Sequence, residues 1–421
     1  MQENYYNSIG ECEYVTRLGN GLTVSVIPKP GFKKAFAILA VGYGSVDASF
    51  LCDGVSMTPP KGVAHFLEHK VFEQPDGGNA LQIFAQTGAS PNAFTSKEMT
   101  AYHFSCTKNL KQNLEILLSF VSTPYFTDEN VEKEQGIIAQ EIGMVQDRPG
   151  WRVYENLMQT MFPGSPLGDS IIGTVESIRE ITRETLFSCY RSFYRPSNMA
   201  LVVAGDITPA EVVETAEQIL GYQKLSKPEK IDDLMPQGIP GTFISEKMDV
   251  PTPIFAIGYQ TPQYLNGLKE EIVADIALDL FLGTSSSLYQ TLYERGLISH
   301  DFDADSLLHR GVCGVMISGE GKNPTAVRDA INEAAQKIDV IPDCEFERAL
   351  RAQYGAWVRR TDSFEMMCRM QARCYLQGYS ALAFSDVFER ITKEEVLEFL
   401  RRVFQRGTCT LSQVIPKEAE E

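Results

Sequence analysis

The chain has 421 residues, more than one hydrophobic core accommodates, and its length therefore predicts two domains. Hydrophobic residues make up 43% of it, and glycine and proline are spread along the sequence, which excludes a disordered chain. The formal net charge of −17 argues against a nucleic acid as the main partner, because phosphate binding requires a surplus of lysine and arginine.

The cysteines and the apolar segments of the sequence indicate the cellular compartment in which the protein is expected. Nine cysteines are scattered at positions 12, 52, 106, 189, 313, 344, 368, 374 and 409 without a Cys-x-x-Cys pair, a pattern typical of reduced thiols. The segment Met1–Tyr14 contains no basic region followed by an apolar stretch, and no later run of about 18 apolar residues occurs. We therefore expect neither export nor membrane insertion, and a cytoplasmic location.

The first half of the sequence mixes predicted strands and helices. Short apolar bursts between Pro- and Gly-bearing turns predict strands, and helical apolar spacing after Pro59-Pro60 predicts a helix. Thr127 or Asp128 can cap a long helix that ends before Pro149. In chain order we predict strands at Leu22–Ile27 and Ala35–Val41, helices at Gly62–Phe72 and Ala80–Thr87, a strand pair over Ser90–Phe104, helices at Leu110–Val121 and 128–147, and a strand at Asn198–Asp206.

The second half repeats this order after a segment rich in Lys, Pro, Asp and Gly. We predict a strand at Ile254–Tyr259, a helix at Lys269–Leu282, a helical segment near Leu288, strands around Val312–Ser318, and helices at 325–338 and 343–360. Two related α+β halves are the simplest account. The predicted domains are 1–223 and 241–421, joined by a linker at 224–240.

The helix after Pro60 carries a metal-binding pattern. His65 and His69 are one helical turn apart, so both imidazoles can reach one ion. Glu68 lies between them in angle and is placed to act as general base on a water bound to that ion. The order His-x-x-Glu-His is the inverted form of the common zinc-peptidase helix.

A catalytic zinc ion usually has three protein ligands, so a third is expected elsewhere. Glu134 and Glu141 lie seven residues apart on the next long helix and face the same side. One of them can bind the metal while the other supports a histidine or the water. The alternative is that His65 and His69 are a structural pair that binds no metal. The remaining histidines, His103, His300 and His309, have no ligand-like spacing.

These motifs resemble the insulinase, or pitrilysin-like, peptidases, which include the mitochondrial processing peptidase and many short bacterial members. Besides His65–His69, the matching residues are Gly44, Ser45, Asp47, Asn92-Ala93-Phe94-Thr95, Glu134, Glu141, Asn198, Gly205 and Asp206. Their order and separations agree over about residues 20 to 210. The resemblance implies that Glu141 is the third zinc ligand, with one Zn²⁺ per chain, and that Glu134 is a supporting carboxylate in the catalytic site.

The resemblance also implies a fold and a way of binding substrate. Each half would be a mixed, mostly antiparallel sheet flanked by helices, and the chain would form half of a clamshell chamber, so a dimer is implied. Family members hold a peptide as an added strand beside the metal, next to Asn92, Ala93, Phe94 and Thr95. A plain turn at Asn92-Ala93 is the alternative.

The second half departs from the family pattern. Active members carry an Arg and a Tyr that stabilise the oxyanion, but Leu292–Ser299 has Tyr293 in place of the Arg and Ser299 in place of the Tyr. Arg295 could substitute only for the Arg. The helix at Lys269–Leu282 contains no histidine, so no zinc is expected there. This predicts a heterodimer in which a zinc-free homologous subunit supplies the Arg and Tyr.

The prediction is a zinc endopeptidase that hydrolyses peptides, or leader or presequence segments, without nucleic acid or membrane partners. Two alternatives stay open at this point. The missing Arg/Tyr pair would suit a non-catalytic scaffold or chaperone-like subunit, but the complete set His65, Glu68, His69 and Glu141 argues against it. An amidohydrolase acting on small amides would keep the metal helix, but the edge-strand motif favours peptides.

Overall fold

The computed structural model describes residues 1–52, 54–75, 77–221, 228–231, 234–262 and 267–417. The chain forms two compact units, each assembled from three segments. The first unit comprises Met1–Ile142, Ser170–Asp232 and Val358–Ala383, and the second comprises Gly143–Asp169, Asp233–Trp357 and Phe384–Glu421. Each holds a mixed, mostly antiparallel sheet flanked by helices, which confirms the predicted α+β class with two sheet-based halves.

The strands agree with those predicted and extend several of them. In chain order they are β1 (Gln2–Tyr6), β2 (Glu11–Arg17), β3 (Thr23–Pro28), β4 (Ala35–Val41), β5 (Phe50–Cys52), β6 (Val55–Met57), β7 (Ser90–Thr95), β8 (Thr100–Cys106), β9 (Met199–Gly205), β10 (Glu229–Lys230), β11 (Phe243–Met248), β12 (Ile254–Pro262), β13 (Asp303–His309), β14 (Val312–Glu320) and β15 (Thr408–Pro416).

The helices include all those that the periodicity predicted. They are α1 (Val63–Val71), α2 (Ala80–Thr87), α3 (Leu110–Ser122), α4 (Asp128–Gln146), α5 (Pro149–Met161), α6 (Val175–Arg179), α7 (Arg183–Phe193), α8 (Pro209–Leu220), α9 (Leu268–Leu282), α10 (Ser287–Glu294), α11 (Pro324–Ala335), α12 (Asp343–Thr361), α13 (Phe364–Gln377), α14 (Phe384–Phe388) and α15 (Lys393–Leu400). Short 3₁₀ turns occupy 166–168, 196–198 and 381–383, and a π-helical turn occupies 401–405.

The first unit is built on a seven-stranded sheet in the order β1-β2-β3-β9-β4-β8-β7. β3 and β9 run parallel, and the other neighbours run antiparallel. β4 and β9 are central, and every residue in them is buried because both faces of the sheet are covered. β7 forms one edge and pairs with β8 alone among the described strands.

Helix α13 covers one face of this sheet although it comes from the second half of the sequence. Its buried residues Phe364, Met367, Cys368 and Ala372 share one apolar cluster with residues of β4 and β9, such as Ile38 and Val202. The sequence analysis did not predict α13, and periodicity alone would not identify the sheet that a helix covers.

The second unit is built on a five-stranded sheet in the order β11-β15-β12-β14-β13. β11 and β15 run parallel, and the other neighbours are antiparallel. Helix α5 packs on β12 and β15, and the Ser412 hydroxyl donates to the Val153 carbonyl at 2.9 Å. This unit therefore takes one of its helices from the first half of the sequence.

The two units differ from the contiguous domains 1–223 and 241–421 by an exchange of helix-bearing segments. Residues 143–169 belong to the second unit, and residues 358–383 belong to the first. Of the predicted linker, 224–227 and 232–233 lie outside the described residues, and Glu229–Lys230 forms a short strand paired with β5.

No single helix in the described part of the chain is long and apolar enough to cross a membrane, although α9 and α10 together pass that test as a bent pair.

A buried carboxylate fastens α13 to the sheet. Glu13, on β2, is fully buried and accepts hydrogen bonds from Tyr375 Oη at 2.7 Å and Gln371 Nε2 at 2.6 Å, both on α13. Tyr6 Oη donates at 3.0 Å, and Ser25 Oγ also donates. A buried carboxylate requires such donors, because each unsatisfied polar group in an apolar interior is costly.

We expect Glu13→Ala to lower the free energy of unfolding by on the order of 3 kcal/mol, because it leaves several buried donors without an acceptor. Glu115→Ala, on the exposed side of α3, is the matched control and should change stability by no more than about 0.5 kcal/mol. Urea unfolding followed by circular dichroism measures both. Equal unfolding midpoints for the two variants would contradict the role given to Glu13.

Candidate metal centre

Helix α1 begins at a position that only glycine fits. Gly62 precedes it with φ of 90°, and a Cβ there would lie 2.7 Å from the Ile172 carbonyl oxygen. Phe66 and Leu67 are fully buried, which fixes the rotation of the helix about its axis. His65 and His69 then lie one turn apart with ring centroids 4.6 Å from each other, as the spacing predicted.

Helix α4 brings two carboxylates to these histidines. Glu141 Oε1 lies 3.8 Å from His65 Nε2, and Glu141 Oε2 lies 3.7 Å from His69 Nε2. Glu134, two turns earlier, lies on the other side of the His69 ring, with Oε1 2.9 Å from Nδ1. The two glutamates therefore meet different atoms: Glu141 lies near the Nε2 atoms of both histidines, and Glu134 lies near Nδ1 of His69.

The donor set fits a zinc ion. One ligand atom each from His65, His69 and Glu141 lies within 4.8 Å of the others, and no second cluster of this kind occurs among the described residues. Imidazole nitrogen with carboxylate oxygen is a common zinc combination in catalytic sites. The described part of the chain thus offers three ligands in the first unit.

The two histidine rings differ in their electrostatics. Burial and the neighbouring His69 lower the pKa of His65 to about 3, so its ring is neutral at neutral pH. For His69 burial acts in the same direction, but the hydrogen bond and charge of Glu134 outweigh it and raise the pKa. The same contact lowers the pKa of Glu134 despite its burial. The anionic Glu134 accepts from Nδ1–H and leaves Nε2 of His69 directed toward Glu141.

Glu68 lies beside the two histidines and is tied to the edge strand. Thr95 Oγ1, at the end of β7, donates to Glu68 Oε2 at 2.6 Å. Burial raises the pKa of Glu68, while the Thr95 hydrogen bond and His69 act in the opposite direction. A buried carboxyl whose proton affinity is raised is suited to proton transfer. The sequence placed Glu68 next to the metal but gave no sign of its contact with Thr95.

The four residues predicted to bind substrate all lie on β7, at its pairing with β8. Ala93 is paired with Tyr102 and Thr95 with Thr100, and Thr95 points to α1. Asn92 and Phe94 alternate with them and therefore point to the opposite face of the sheet, which α13 covers. Only one face of β7 meets the metal centre.

Lys70 is a residue of the site that the sequence analysis missed. Its side chain is fully buried, and Nζ lies 2.6 Å from Glu73 Oε1, 3.0 Å from the Asn130 carbonyl oxygen and 3.7 Å from Glu134 Oε2. Glu134 thus lies between His69 and a buried cation. A lysine on the apolar side of α1, three residues before a glutamate, was the available signal, since a buried lysine requires an anionic partner.

Comparisons with known proteins agree with this geometry. Residues 54–175 match the model of the insulinase family (peptidase family M16), and residues 180–353 match the family's inactive-domain model. The uncharacterized zinc protease YmfH of Bacillus subtilis (strain 168) is 35% identical over 422 residues, covering 98% of this chain and 98% of that protein. The chain belongs to the insulinase family of peptidases.

Two further relatives extend the comparison. The probable mitochondrial-processing peptidase subunit beta of Schizosaccharomyces pombe is 29% identical over 363 residues, covering 81% of this chain and 77% of that protein. The crystal structure of an M16-like peptidase from Alicyclobacillus acidocaldarius superposes with a TM-score of 0.92 at 32% identity, covering 97% of this chain and 99% of that one. The family predicted from the motifs is therefore confirmed.

Replacing Lys70 tests its place in the metal centre. Lys70→Met keeps a side chain of similar length but removes the cation beside Glu134. Because Glu134 orients His69, zinc affinity should fall about 10- to 100-fold. Zinc retention against a chromophoric chelator measures this. Lys133→Met, at an exposed position on α4, is the control and should bind zinc as the unmodified chain does. Unchanged affinity in Lys70→Met would contradict the role.

Proposed function

We propose that the chain is a zinc-dependent endopeptidase, with His65, His69 and Glu141 as metal ligands and Glu68 as general base. The observation that carries this proposal is the convergence of those three ligand atoms within 4.8 Å, beside a carboxylate that an edge strand holds in place. The zinc proteases among its relatives support zinc as the metal. One ion per chain and a cytoplasmic location are parts of the same proposal.

In this proposal the chain's own residues orient the reactants and move the proton. A zinc ion bound by the three ligands would supply Lewis-acid polarisation of the water and of the scissile carbonyl. Glu68 accepts the proton of the attacking water and passes it to the leaving amine. Thr95 fixes one oxygen of Glu68, and Glu134 fixes the ring of His69 through Nδ1. Glu134 acts as a positioning carboxylate.

The proposed substrate is an extended peptide that adds as a strand to the edge of β7 that no described strand occupies. Such binding uses main-chain hydrogen bonds and tolerates many sequences. Thr95 links this edge to Glu68, so a peptide paired with β7 would run beside the general base. An added strand lies about 4.8 Å from its neighbour, which gives the distance of the peptide main chain from β7.

We further propose that this chain is the metal-bearing subunit of a heterodimer with a zinc-free homologous partner. Helix α9 contains no histidine, and residues 180–353 match an inactive-domain model. Helix α10 ends at Glu294, with Tyr293 partly exposed and Arg295 at its C-cap, and Ser299 stands where the family has a Tyr. The partner would supply the missing Arg and Tyr.

Substitution of the general base separates chemistry from metal binding. Glu68→Gln should retain zinc and, assayed together with the zinc-free partner, lower turnover of a quenched peptide library by roughly 10²- to 10⁴-fold, because proton transfer is lost. His65→Ala and Glu141→Ala should lose both zinc and turnover. Elemental analysis and a cleavage assay with and without chelator provide the two measurements. Full activity of Glu68→Gln would refute its assignment as general base.

The purified chain tests the heterodimer. We expect one zinc per chain and little cleavage when it is assayed alone, with activity appearing when a zinc-free relative from the same source is added. Sedimentation and cleavage, measured for each chain and for the mixture, distinguish the cases. Strong chelator-sensitive cleavage by the chain as a homodimer would contradict the need for a partner, and a chain that binds no zinc would remove the peptidase proposal itself.

A further inference from the structure

The face of β7 that points away from the metal centre carries a cationic site. Phe94 and Asn92 point to this face, and an added strand would place every second side chain beside them. The helix behind this face is α13, whose Arg369 reaches the edge strand. Arg369 Cζ lies 4.7 Å from the centroid of the Phe94 ring.

Arg369 is held in place by three contacts. Its guanidinium stacks on Phe94, its Nη2 donates to His103 Nε2 at 2.9 Å, and the same Nη2 lies 2.8 Å from Glu365 Oε1. A guanidinium carries five N–H donors in a planar fork that matches a carboxylate. Both polar contacts use Nη2, so Nη1 has no hydrogen-bond partner in the described part of the chain.

The charge around this guanidinium is only partly compensated. Phe94 carries no charge, and burial together with Arg369 lowers the pKa of His103 to about 4, so that ring is neutral at neutral pH. Glu365, one turn earlier on α13, is the one carboxylate within ion-pair distance of Arg369 among the described residues, and 45% of its side chain is exposed. Such an exposed pair is weak and open to competition.

We propose that Arg369 is a specificity-determining residue that favours an acidic side chain at substrate positions facing α13. The inference rests on the proposed binding of a peptide strand to β7. A substrate Asp or Glu beside Phe94 would accept a hydrogen bond from the Nη1 of Arg369. A substrate Lys or Arg would instead be repelled by the positive charge of Arg369. Because side chains of a strand alternate in direction, the preference applies to every second residue of the peptide.

A positional peptide library tests the preference. Asp, Asn or Lys is fixed at each position in turn, and cleavage products are sequenced for the unmodified chain and for Arg369→Gln, each assayed together with the zinc-free partner. For the unmodified chain we expect an Asp/Lys ratio of about three among cleaved peptides, at positions two residues apart. This is the effect of one exposed ion pair. Arg369→Gln should bring this ratio to about one at those positions only, and Glu365→Gln should increase it, because a competing carboxylate is removed.

Arg191→Gln is the matched control, since it removes another guanidinium stacked on a phenylalanine, 5.5 Å from the Phe187 ring on α7. It should leave the profile unchanged. An Asp/Lys ratio that is the same in Arg369→Gln as in the unmodified chain would overturn the inference. So would a preference for Lys at the alternating positions, which would assign the selection to Glu365.

Binding separates this inference from the peptidase proposal. Fluorescence anisotropy of labelled decapeptides with alternating Asp-Ala or Lys-Ala measures charge selection without turnover. Chelator-sensitive cleavage without Arg369-dependent selection overturns only the role of Arg369. Arg369-dependent selection in binding, without chelator-sensitive cleavage even when the zinc-free partner is present, overturns only the peptidase proposal and leaves β7 as a peptide-binding edge.

Discussion

The contact between α1 and α4 through His69, Glu134 and Lys70 is the constraint on which the rest of the site depends. Glu134 is buried between a histidine ring on one oxygen and a lysine ammonium on the other. Neither a buried carboxylate nor a buried ammonium is stable alone, so the two helices are stable in this register only when these groups meet. That register also brings Glu141 to the Nε2 atoms of both histidines.

The edge strand β7 connects this centre to the remainder of the first unit. Through Thr95 it holds Glu68, and through Phe94 on its other face it contacts Arg369 of α13. The strand therefore makes two different contacts, because successive side chains of a strand point to opposite faces. A peptide paired along it would present one set of side chains to the metal centre and the other set to α13.

Local pattern was enough to predict many of the helices and strands and to place the candidate ligands on helix faces, whereas long-range packing was not predictable. The turn between His65 and His69 and the two turns between Glu134 and Glu141 are properties of single helices, so the spacing gave their faces correctly. The pairing of carboxylates with histidine nitrogens depends on how α1 and α4 pack together. Residue spacing does not determine that packing, so it left the pairing open, and only the family resemblance favoured Glu141 as the ligand. The burial of Lys70 and the contact of Thr95 depend on the same packing.

Because segments are exchanged between the two compact units, the boundaries of these units do not follow the contiguous order of the chain. Sequence proximity would assign residues 358–383 to the sheet of the second half, whereas the cluster containing Phe364 and Met367 is completed by β4 and β9. Residues 1–223 alone would leave that sheet face uncovered and the Glu13 carboxylate without its donors from α13. The packing of the first sheet therefore depends on residues 358–383, and β7 shares in that packing through the contact of Arg369 with Phe94.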